Sequence, residues 1–129
     1  MKHNKKKSDK HMHSIFGVFI RAELSALALT LGLIAICAYL LFQGVLKIDS
    51  LSIVNPVIKA LGALAAAIIV SCMVREKRFI MCCIAGAGHT LLAYVILSLI
   101  VGSFTFGTGL LIDVGIGILA GAVVAVIMK

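Results

Sequence analysis

Polar and apolar positions along this chain separate into blocks. Residues 24–46, LSALALTLGLIAICAYLLFQGVL, carry no charge, and residues 53–74 carry one lysine, Lys59. A hydrocarbon core about 30 Å thick is crossed by about 20 helical residues, so each block has the length of a membrane span. Pro56 and Lys59 fall near the start of the second block, where a first-turn proline is tolerated and a lysine can reach back to the interface. From Phe79 to Ile112 no residue is charged, but one helix of that length would overshoot the bilayer. It must break, and the stretch GSFTFGTG, residues 102–109, with three glycines and three hydroxyl residues, marks the turn. Spans three and four are therefore residues 79–101 and 110–128, and the pattern predicts an all-α, four-helix transmembrane bundle.

Composition agrees, with 62% hydrophobic residues, 13% charged and a mean hydropathy of +1.18, far from the balance of a soluble domain. Residues 15–129 read as a single membrane domain. Residues 1–14, MKHNKKKSDKHMHS, show no apolar periodicity and are expected to form a disordered basic tail. Residues 14–23, SIFGVFIRAE, read as an interfacial lead-in to span one. A signal peptide is the competing reading of that first span, but the apolar run is too long for a signal core.

The net charge of +7 reads as a topology signal, not a nucleic-acid footprint, because of where it lies. Lys2, Lys5, Lys6, Lys7, Lys10, Arg21, Arg75, Lys77, Arg78 and Lys129 fall on one side of the four spans, and Lys47 and Lys59 on the other. The positive-inside rule then places both termini in the cytoplasm. The tail lysines would each add about 1 kcal/mol of attraction to anionic lipid headgroups.

Asp113 is the one carboxylate inside span four. Helices in lipid associate through small residues and interhelical polar contacts, and Asp113, Gly117, Gly121 and Ala125 recur at a four-residue interval along one ridge. Span two has a matching ridge in Lys59, Ala63, Ala67 and Ser71. Spans two and four run in the same direction, with Lys59 and Asp113 at one depth, so packing through these ridges predicts a structural ion pair near the outer boundary. In span three, Gly86 is expected to pack and His89 to point into the bundle near mid-membrane. His89 is a candidate proton relay, but with no second ionisable group expected at its level the structural role is favoured. Glu23, just before the apolar run and two residues from Arg21, reads as an interfacial charge. Cys37, Cys72, Cys82 and Cys83 form no CxxC pair and read as small packing residues. No catalytic, metal-ligand or cofactor motif is present, so no enzyme activity and no cofactor are expected.

A basic N-terminus, a second span ending in MVREKR (residues 73–78), a third with AGAGHTLLAY (85–94) and a final GILAGAVVAVIMK (117–129) together resemble the YrzE-like family of small four-span bacterial membrane proteins. The resemblance covers about residues 20–129. It implies a multi-pass protein of the bacterial cytoplasmic membrane with no assigned activity, and it carries over no functional residues. The expected role is accessory or scaffolding, through helix contacts with itself or another membrane protein, using spare small faces such as Ala28 and Gly32. The alternative is a small oligomeric transporter or channel using His89 and Asp113.

Overall fold

Four helices follow one another through short turns in the computed structural model, which describes the backbone of residues 2–104 and 106–129 and the side chains of residues 14–104 and 106–129. They are α1 (Lys2–Phe42), α2 (Leu51–Met73, preceded by a 3-10 turn at Ile48–Ser50), α3 (Arg78–Val101) and α4 (Thr108–Ile127). Each contains a stretch long and apolar enough to cross a membrane, which in α1 is Ser14–Phe42.

Spans two to four lie close to their expected bounds; span one does not. It ends four residues early, because Gly44 takes a left-handed φ of 73° and the amides of Gly44 and Val45 turn back onto Leu41 and Leu40 carbonyls at 3.0 and 3.1 Å, the usual way a glycine closes a helix. It also begins well before residue 24. Where a disordered tail is expected over residues 1–14, the backbone is helical from Lys2. Residues 2–13 hold no proline or glycine, and a helix already nucleated by an apolar span gains one hydrogen bond for each residue added. The expected headgroup contacts of the tail lysines, and Thr105 in the 102–109 turn, lie outside the described residues.

Alanine dominates the core: Ala22, Ala26, Ala63, Ala66, Ala67 and Ala85 are essentially inaccessible, while large residues such as Leu99, Ile100, Leu111 and Val126 face outward. This is the arrangement expected in lipid, where apolar bulk gains nothing from being inside and small residues allow backbones to approach. The closest approach is between α3 and α4. A Cβ at Gly86 would strike the Gly117 carbonyl, one at Gly117 would strike the Gly86 carbonyl, and one at Gly121 would strike the Cys82 carbonyl.

The glycine ridge of α4 thus meets α3, not α2 as its register with the α2 ridge suggests. The short 102–107 turn makes α3 and α4 antiparallel neighbours, and α4 settles against α3 and α2 together. Its contacts to α2 include Asp113 and, lower down, Ala125, which clusters with Ala67, Cys82 and Val124. Helix α1 is peripheral: only 11% of its most apolar window is buried, against 28–33% for the other three spans. It packs on α2 and, over a shorter stretch, on α3.

Candidate functional site: two polar contacts inside the bundle

Lys59 lies fourteen residues before the end of α2, and Asp113 fourteen before the end of α4, so each stands about 21 Å above the end of its helix. Lys59 Nζ donates to Asp113 Oδ2 at 2.5 Å, with the two side chains 14% and 15% exposed. Two full charges therefore neutralise each other at the α2–α4 contact. At the opposite end, Arg78 donates to the Met128 carbonyl at 2.5 Å and ties the start of α3 to the end of α4.

The second contact is deeper. His89 is wholly buried on α3, and both of its ring nitrogens meet α1. Nδ1 is 3.2 Å from Glu23 Oε2, and Nε2 is 3.1 Å from Thr30 Oγ1. The Thr30 hydroxyl also reaches the Ala26 carbonyl, one turn back on its own helix, at 2.8 Å. Glu23 and Thr30 are seven residues apart, two turns on one face of α1, so a single imidazole can bridge them.

The third wall is Gly62 of α2, where a Cβ would collide with His89 Nε2 and Thr30 Oγ1. Only a glycine lets α2 close over the ring. On the far side of α3, the Thr90 hydroxyl bonds the Ala87 carbonyl at 2.9 Å, facing Gly117 of α4.

Two sequence-based expectations change here. Glu23 is not a solvated charge at the edge of the bundle: its side chain is 14% exposed and turned inward onto His89. His89 accordingly does have a second ionisable group at its level. A charge just before an apolar run looks like the start of the run, whereas here it turns into the bundle to meet His89. The available signal was the ridge Ala22, Ala26, Thr30, small and polar at a four-residue interval and buried throughout. Ala28 and Gly32, on another face, point outward.

The surroundings of the two contacts differ along the bundle. Toward the 74–77 turn, Ala22, Val70, Val74 and Ala85, with Val18, Phe19, Ile69 and Met81 against them, form an apolar layer. Beyond it lies a hollow of about 460 Å³ bordered by Ser14, Val18, Arg75, Glu76 and Lys77. In the other direction, a mainly apolar cavity of about 200 Å³ between α1, α2 and α3 touches Thr30 at one side and Asn55 and Lys59 at another.

All four cysteines are free, and Cys82 packs with its thiol 3.6 Å from the Ala67 carbonyl. Among the described residues, no three His, Cys, Asp or Glu side chains converge as a metal site requires. Comparison with protein-family models, curated proteins and solved structures gives no match to this chain.

Chemically, Lys59–Asp113 is a tie between helices. Glu23–His89 joins an acid to a base, and a proton between them can reside on either side.

Proposed function

We propose that this chain is a non-enzymatic integral membrane protein that binds protons at Glu23 and His89 and works as a small proton-linked transporter or channel. The observation that carries this reading is the fully buried imidazole held between a carboxylate and a hydroxyl, since ionisable groups within a membrane mark ion and proton pathways more often than packing sites. Asp113 drops out of the role, because Lys59 already neutralises it. The interior is closed by alanine and glycine contacts, so one bundle encloses no generous pore and the working unit is an oligomer.

The excess of basic residues beside the termini and the 75–78 turn supports cytoplasmic ends. The likeness to the YrzE-like proteins supports a bacterial cytoplasmic membrane, with the tail lysines near anionic headgroups.

Purified protein in liposomes, given a pH gradient and a proton-sensitive dye, tests the reading. Flux should be present in the natural protein and lost in His89→Ala. Equal flux in both proteins would overturn it. A second reading, an accessory protein acting through helix contacts, is favoured by the outward Ala28 and Gly32 on the least buried helix. It predicts no flux, and a specific crosslinked partner in native membrane.

A further inference from the structure

The hydrogen atoms available around His89 tie the protons held at this site to the direction of one hydroxyl. A threonine hydroxyl has one hydrogen to donate. When Thr30 gives it to the Ala26 carbonyl at 2.8 Å, it can only accept from His89, so Nε2 must carry a proton. One further proton must then lie between Nδ1 and Glu23 Oε2, 3.2 Å apart, because an ionised carboxylate and a bare ring nitrogen both only accept. With the other carboxylate oxygen bare, the pair then holds two protons and has no net charge, whether the shared proton sits on nitrogen or on oxygen.

Remove one proton and the pattern reverses. The carboxylate is now charged and takes the remaining ring proton at Nδ1, which leaves Nε2 bare. Nε2 would then face the Thr30 oxygen with no hydrogen between them, a buried acceptor left unsatisfied. The hydroxyl removes this conflict by turning from Ala26 to Nε2, a rotation about one bond that moves no heavy atom. The Ala26 carbonyl loses little, since the amide of Thr30, four residues on within the helix, also reaches it.

We infer that Glu23 and His89 bind and release a single proton as one unit, and that the Thr30 hydroxyl reverses direction each time they do. The proton is the ligand, Glu23 and His89 are its binding groups, and Thr30 is a positioning residue. Among the described residues, no other charge competes at the ring. The residue of α2 against it is Gly62, and the only charged side chains within α2 and α4 are Lys59 and Asp113, which hold each other. On α3 itself the other charged residue is Arg78, at the far end of the helix; on α1, Arg21 faces outward. The inference rests on reading Glu23 and His89 as a working proton site, but it does not require transport.

The test is solid-state NMR of the full chain in lipid vesicles, with nitrogen-labelled histidine and carboxyl-labelled glutamate, titrated from acid to alkaline pH. His89→Ala and Glu23→Gln identify the two residues' signals among those of the other histidines and Glu76. The expected result is one shared midpoint: His89 Nε2 goes from protonated to bare while Nδ1 ends protonated and Glu23 ends as a carboxylate. Separate midpoints for the two residues would overturn the inference, as would an Nε2 that stays protonated to the alkaline end. A shared step without vesicle flux leaves the inference standing and removes the transport reading. Flux without such a step does the reverse.

Discussion

Lys59–Asp113 joins two opposite fixed charges on α2 and α4, whereas Glu23–His89 joins an acid and a base on α1 and α3. The first pair sits at the end of the bundle away from the termini, where part of each side chain is still exposed. The second has its imidazole wholly enclosed. Two fixed charges in lipid have one useful arrangement, together, and either alone is a liability. An acid–base pair has several arrangements that differ only by a proton, and for that reason it can do more than hold helices. One four-helix bundle thus contains a tie and a candidate switch, and its hydrogen bonds distinguish them.

The largest expected effect breaks the tie. Asp113→Leu leaves the Lys59 ammonium without its partner and should destabilise the bundle by about 3 kcal/mol, read as unfolding in mixed detergent, with the His89 signals unchanged. Next, Gly62→Ala forces a methyl against His89 and Thr30 and should cost about 2 kcal/mol through overpacking. It should shift the His89 signals while leaving the Lys59–Asp113 contact intact, the reverse of the first variant.

Glu23→Gln keeps the shape of the side chain and a hydrogen-bonding group at His89, so its stability cost should stay near 1 kcal/mol while vesicle flux is lost. A large stability loss with flux retained would make Glu23 a tie as well, and erase the contrast. The smallest effect belongs to the double variant Lys59→Met with Asp113→Leu. Removing both charges together leaves nothing unpaired, and stability should fall by less than about 1 kcal/mol, with flux retained.

The two contacts also differed in how far they could be read beforehand. Lys59 and Asp113 are lone charges in uncharged runs on helices that point the same way, at equal distances from the ends of their spans. Depth and sign were enough to bring them together. Glu23 could not be placed in that way. A carboxylate at the edge of an apolar run is ambiguous between a solvated boundary charge and one turned into the bundle, and the answer came from its contact with the buried His89. The partner of His89 was hidden by the same ambiguity.

The rotation of α1 was hidden for a different reason. In water the apolar face of a helix points to the core, but in lipid the outside is apolar too. The ridge of Ala22, Ala26 and Thr30 and the face of Ala28 and Gly32 are equally acceptable on either side.

What the sequence determined by itself is the number of helices long and apolar enough to cross a membrane, the approximate bounds of the last three and the matching levels of Lys59 and Asp113, because these depend on length, hydropathy and helical rise alone. Which face of α1 turns inward, and that the glycine ridge of α4 meets α3, were decided only by the tertiary structure. Those choices depend on how closely particular backbones approach, at Gly62 against His89 and at Gly86 against Gly117. Hydropathy carries no record of such contacts when solvent and core are alike.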